Sequence, residues 1–127
     1  MREITCHQIN GLNECLKVQA ADEPGSGNAN HFYVVYADES KVTLGDGVTV
    51  QMSVQFQNGP IKEAGINGLT NEVLLAIVID RLQSFQKGQF ACRENALALT
   101  KLEEAMHWLH HRTHERLRRG VEGTHQK

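Results

Sequence analysis

FQKGQFACREN (residues 85–95) decides how the second half of this chain folds. A helical repeat runs into it, with Leu75, Val78, Leu82 and Phe85 at three- and four-residue steps. A second repeat runs out of it through Asn95, Ala98, Leu102, Ala105 or Met106, and Leu109. Gly88 separates the two and is placed to end the first helix in a left-handed cap. So short a link makes the helices antiparallel neighbours. The first is expected over about 71–87, with Thr70 as its N-cap and Asn71 and Glu72 in its first turn. The second is expected to start near Ala91 and meets no breaker until Gly120. At 1.5 Å per residue they measure roughly 25 Å and roughly 43 Å. The second therefore overhangs. Its end, WLHHRTHERLRR (108–119), has no cover from the hairpin partner and calls for the β-layer or another subunit, which points to an oligomer.

Upstream, residues 1–57 read as β. Val48, Val50, Met52, Val54 and Phe56 alternate strictly with polar residues, the period of a half-buried antiparallel strand. HFYVVYA (31–37) and ECLKVQA (14–20) read as two more strands. Gly45-Asp46-Gly47 marks a hairpin between KVTL and VTVQ. ADEPGSGNAN (21–30) is a turn-rich loop, and QNGPIKEAGINGL (57–69) is a connector interrupted by Pro60 and three glycines. The expected fold is α+β: a small N-terminal antiparallel sheet, then an antiparallel helical hairpin with an overhanging second helix. The chain reads as a single domain over 1–127, divided into a β region (1–57), a connector (58–69) and the hairpin with its tail (70–127).

Composition narrows the function classes. A net charge of −2 argues against general polyanion binding. The charge is uneven, with eight Asp/Glu against four Lys/Arg in residues 1–69 and six Lys/Arg against four Asp/Glu in residues 101–127. An anionic ligand is expected at the C-terminal end. Cys6, Cys15 and Cys92 form no C-x-x-C pair, as for reduced thiols in a cytosol. MREITCHQIN has no apolar signal segment, and the longest apolar run, Val73 to Ile79, is too short for a bilayer. A soluble, cytoplasmic protein with no membrane partner is expected.

Phe85 and Asn95 lie within about two helical turns of the bend. Burying an unpaired amide is costly, so Asn95 on an apolar seam requires a partner. It either caps a loop carbonyl while Phe85 packs in the core, or Phe85 stacks on a base while Asn95 bonds its edge or ribose. Arg112 and Arg116 share a helix face and form either a solvated helix C-terminus or paired forks for phosphate. His107, His110, His111 and His114 have spacing that permits a metal but lack an H-E-x-x-H pattern, so an exposed polar face is expected and no metal. No nucleophile elbow, Cys/His pair or P-loop is present, and neither an enzyme nor a cofactor is expected.

The segment from NGPIKEAGINGL through RGVEGTHQK carries FACREN, ALTKLEEA, WL, RT-x-x-R and RGVEGT. It resembles the C-terminal hairpin shared by the first-described phage Thoeris anti-defence family and a phage anti-CBASS sponge. The β-rich first half fits the Thoeris family better, because the anti-CBASS protein is essentially helical. The resemblance implies a non-catalytic sponge that holds a cyclic ADP-ribose isomer made by a host TIR-domain enzyme, so the host effector stays inactive. It also implies a homo-oligomer (a dimer or a trimer of dimers) with pockets between subunits and, in some members, a separate arginine-lined site for cyclic di- or trinucleotides. By motif, Phe85 and Asn95 fall on positions expected to contact the ADP-ribose ligand. Arg112 and Arg116 fall on the pair expected to meet phosphates. The loop DEPGSGNANH is a further candidate contact. The alternative reading is a non-catalytic phage accessory protein whose basic C-terminal helix binds nucleic acid or a protein partner; the acidic remainder of the chain disfavours nucleic acid.

Overall fold

The computed structural model describes residues 1–9 and 11–127. It has the expected α+β architecture, in two compact units: Met1–Gly59 with Ile66–Leu69, and Pro60–Gly65 with Thr70–Lys127. The connector is divided between them.

The first unit is a four-stranded antiparallel sheet of β1 (Arg2–Ile4), β2 (Leu16–Ala20), β3 (Phe32–Ala37) and β4 (Gln51–Gln55), in sequence order. β1 is a strand that the sequence did not single out; Arg2 pairs with Ala20 and Ile4 with Val18. The expected strand over 14–20 starts late, because Gly11–Cys15 forms a short helix, α1. The hairpin expected between KVTL and VTVQ does not form. Asp38 accepts bonds from the backbone N–H and the hydroxyl of Ser40, at 3.1 and 2.6 Å, and turns the chain away at the end of β3. β3 therefore pairs directly with β4, Phe32 opposite Gln55 and Tyr36 opposite Gln51, and residues 38–50 form a long connection. Gly45 does close a turn there, accepting from Val48 N–H at 3.0 Å. The alternating stretch at 48–56 becomes strand only from Gln51, and of its apolar residues only Val54 is buried. The hydrophobic core is thin, with Cys15, Ala20 and Val54 as its buried apolar residues among those described. Phe56 meets Tyr33 edge-on at 5.7 Å, and a parallel bridge to Leu69 ties the connector to the sheet.

The second unit contains α2 (Ile61–Ala64), α3 (Asn71–Gln86) and α4 (Arg93–Arg119). Thr70 caps α3 as expected, its hydroxyl accepting from Val73 N–H at 3.3 Å. Gly88 does not adopt the left-handed cap. The last turn of α3 instead tightens through bonds from Lys87 N–H to Ser84 and from Gly88 N–H to Phe85, and Lys87 stays right-handed. The left-handed cap lies at the other helix. Gly120 (φ 74°) donates to Leu117 and Val121 donates to Arg116, the Schellman arrangement. α3 and α4 pack antiparallel, with Ala76, Ile79, Asp80 and Gln83 across a groove from Met106 and Glu103. Two seam positions shift by one residue from expectation: Ile79 is half-buried and Val78 exposed, and Leu99 is half-buried and Ala98 exposed. No described helix is long and apolar enough to cross a membrane.

Gly68 offers a test of the connector–sheet contact. A Cβ there would sit 2.4 Å from the carbonyl carbon of Phe56 and 2.6 Å from the nitrogen of Gln57, so backbone must move to admit it. Gly68→Ala is expected to destabilise the sheet unit by about 1–3 kcal/mol in denaturant melts, the usual range for overpacking. An unchanged midpoint would show that the connector does not hold this contact in solution.

Candidate ligand-binding site

Two places on the hairpin unit bring the expected residues together. The first is the bend. Gln86 and Cys92 close it reciprocally: Cys92 N–H donates to Oε1 of Gln86 at 3.1 Å, and Nε2 of Gln86 donates to the Cys92 carbonyl at 3.2 Å. Cys92 then caps α4, its sulfur accepting from Asn95 N–H at 3.4 Å. The Asn95 amide donates to the Phe90 carbonyl at 3.4 Å, so a loop carbonyl supplies a partner for the polar seam residue. Phe85 is half-buried, edge-on to Phe90 at 6.1 Å, with the Arg81 guanidinium 5.3 Å from its ring centre. The bend thus gathers two aromatic rings, a guanidinium and an amide. Phe90 and Arg81 did not emerge from the sequence. Arg81 was legible as the residue four before Phe85, on the same helical face.

The second place is the end of α4. His111, Arg112, Glu115, Arg116, Arg119 and Lys127 line a shallow groove of about 340 Å³. Arg112 and Arg116 both border it, but in different states. Arg112 is exposed. Arg116 is only 7% exposed, because the chain turns back at Gly120 and wraps it. Its Nε donates to Glu122 at 3.1 Å, Nη1 to the Gln126 carbonyl at 2.5 Å, and Nη2 to the carbonyls of Val121 and Thr124 at 2.9 and 3.1 Å. The overhang therefore receives cover from its own tail. The tail in turn meets α2: Lys62 N–H donates to the Gly123 carbonyl at 3.2 Å, and His125 Nδ1 lies 2.6 Å from Glu63. Arg118 pairs with Glu115 and holds that carboxylate below its ordinary range, with smaller help from His111 and Arg119.

The remaining motifs fall elsewhere. His107, Trp108 and His111 form an exposed aromatic patch, with His107 stacked on His111 at 6.4 Å and Trp108 edge-on to both. Among the described residues no group of three His, Cys, Asp or Glu is placed to hold a metal ion. The loop DEPGSGNANH is tied to itself in the sheet unit. The Asp22 carboxylate accepts His31 N–H at 3.0 Å, and Asn30 bonds the Asp22 carbonyl at 2.6 Å. His31 is buried, and among the described residues its Nδ1 has no hydrogen-bond partner.

Residues 49–113, about half of the chain, match the family model described as "Acb2/Tad1, hairpin domain". The chain belongs to this family, the phage Thoeris anti-defence family that its sequence resembles. Over 90 residues it is 57% identical to "Thoeris anti-defense 1" of Bacillus phage SBSphiJ7, a match that covers 71% of this chain and 63% of the relative. The chain thus spans less than two thirds of that relative's length.

The two arginines should separate by stability. Arg116→Ala removes four hydrogen bonds from a buried guanidinium. It is expected to lower hairpin stability by about 1–3 kcal/mol and to speed amide exchange at Val121 and Thr124. Arg112→Ala, on an exposed side chain, is expected to stay within about 0.5 kcal/mol of the parent. Equal effects in thermal melts would count against the wrapped geometry.

Asp22 supplies a pH test. The His31 backbone N–H, with Phe32 and Asn30 assisting against partial desolvation, holds its carboxyl below the ordinary Asp value. A lowered folded value means that the loop gains stability above the unfolded value of about 3.9 and loses it as pH falls through the folded one. The His31 amide signal in an acid titration should therefore move with a midpoint below that ordinary value. A midpoint at or above it would remove the carboxylate–amide bond.

Proposed function

We propose that this protein helps a phage evade bacterial antiviral signalling by binding a cyclic ADP-ribose-type signal in the host cytoplasm and holding it uncleaved. The observation that carries this reading is the family hairpin together with the 57% identity to a Thoeris anti-defence protein. The bend supports it chemically. Phe85 and Phe90 offer aromatic surface for a base, Arg81 offers a cation for a phosphate, and the Asn95 amide, already bonded to Phe90, has hydrogen-bonding capacity left for a base edge or ribose. A base that stacks on Phe85 shares the ring with Arg81. The groove at Arg112 and Arg116 is the proposed second site, for cyclic di- or trinucleotides. The groove between α3 and α4 is a poor place for either ligand, because Asp80 and Glu103 line it and repel phosphate.

A homo-oligomer, either a dimer or a trimer of dimers, belongs to the same proposal. Val73, Ile77 and Val78 on α3, and Leu97 and Trp108 on α4, are all exposed, with Trp108 at 64%. These are the apolar side chains that a second copy would cover.

The experiment is calorimetry of the full chain against cyclic ADP-ribose isomers, followed by heating of the complex and chromatography of the released ligand. Tight binding and return of intact ligand are expected. Linear ADP-ribose in the supernatant would make the protein an enzyme. Phe85→Ala should weaken binding by about 1–3 kcal/mol, the usual worth of one stacked base. Light scattering in the same buffer should show more than one copy per particle.

A further inference from the structure

We infer that residues 121–127 form a strap that competes with anionic ligands for Arg116 and thereby reserves the basic groove for ligands carrying several phosphate charges. The inference rests on the reading of this groove as an anion site.

A guanidinium has five N–H donors in a fixed fork, and no donor serves two strong acceptors at once. Four donations from Arg116 go to the strap, three of them to neutral carbonyls and one to Glu122. Arg119 donates to the Lys127 carbonyl at 2.5 Å. The Arg112 side chain is exposed and makes no hydrogen bond or ion pair among the described residues. Of the three arginines on the groove, one is free and two are held by the strap. One of the five N–H groups is left over, so a ligand that needs two donors from Arg116 must take at least one from the strap. Charged acceptors make hydrogen bonds roughly twice as strong as neutral ones, so a phosphate group can win this exchange and a neutral hydroxyl or carbonyl cannot.

The strap is built to give way. Residues 125–127 are exposed, and the His125–Glu63 pair at its far end is exposed on both sides. Gly123 passes α2 at φ 82°, and a Cβ there would lie 3.1 Å from Ile61. Only glycine adopts this conformation at this approach without strain. Gly123 is therefore a neutral lever: Gly123→Ala loosens the strap and leaves every charge in place.

The test uses the full chain with sodium pyrophosphate as the probe, inorganic phosphate as the weaker comparison, and cyclic ADP-ribose as an independent ligand. Pyrophosphate should bind more tightly than phosphate and should speed amide exchange at Val121 and Thr124, whose acceptors are Arg116 and Val121 carbonyls. Gly123→Ala should bind pyrophosphate roughly three- to tenfold more tightly, since loosening raises the population of the open groove. Its affinity for cyclic ADP-ribose should not change. If Gly123→Ala does not fold, Glu122→Gln should show the same gain over the charge-matched Glu104→Gln. Slower or unchanged exchange on binding, no gain in the variants, or no pyrophosphate binding at all would each overturn the strap. If any of these occurs while cyclic ADP-ribose still binds, only the strap falls. If the parent chain fails to bind cyclic ADP-ribose, the proposed function falls by itself.

Discussion

A guanidinium removed from water must be surrounded by acceptors, and at the end of α4 that requirement organises everything beyond the hairpin. Arg116 is a buried cation on a helix of 27 residues whose partner has only 16. An isolated charge at low exposure is strongly unfavourable, so the chain supplies acceptors by reversing at Gly120 and returning along the groove. The returning segment has few side chains of its own to bury. What it brings is carbonyl oxygens and Glu122. Through Gly123 and His125 it also engages α2. One buried charge thus links the last turn of α4, the tail and the first residues of the hairpin unit.

The bend obeys the same rule on a smaller scale. Its polar groups pair with one another: Gln86 with Cys92 in both directions, and Asn95 with Phe90. These bonds let an amide occupy an apolar seam without being stranded. Beside them the rings of Phe85 and Phe90 meet edge-on, so aromatic surface lies at the tip of the hairpin. A site held by its own polar contacts before a ligand arrives loses less conformational freedom on binding.

Charge is distributed with equal economy. The groove between α3 and α4 carries Asp80 and Glu103, whereas the groove at the end of α4 carries three arginines and Lys127 against Glu115. A chain with net charge −2 thereby presents a basic concavity at the end of α4. The sheet unit contributes little buried apolar area, and the helices leave Ile77, Trp108 and Leu117 exposed.

Much of the hairpin was legible in the residues. Thr70 reads as a cap because its hydroxyl can reach an orphan N–H three residues on, and Gly120 reads as a stop because nothing beyond it continues the repeat. The overhang follows from helix lengths alone. The sheet was legible as strands, but the expected KVTL–VTVQ hairpin did not form: the Asp38–Ser40 turn follows β3, residues 41–44 are not strand, and β4 pairs with β3 itself. Gly88 shows the limit of a local rule: a glycine permits a left-handed end, and the contacts of the bend chose another. The seam shifted by one residue at Ile79 and Leu99 because a period of 3.6 leaves neighbouring positions nearly equivalent until a partner helix selects between them. For the candidate site, the sequence determined that Phe85 and Asn95 stand at one bend and that Arg112 and Arg116 share one helix face. Only the tertiary structure decided that Arg116 is enclosed while Arg112 is free. The spacing of two arginines records their angle around a helix, whereas their burial depends on where a segment five or more residues away returns to place its carbonyls.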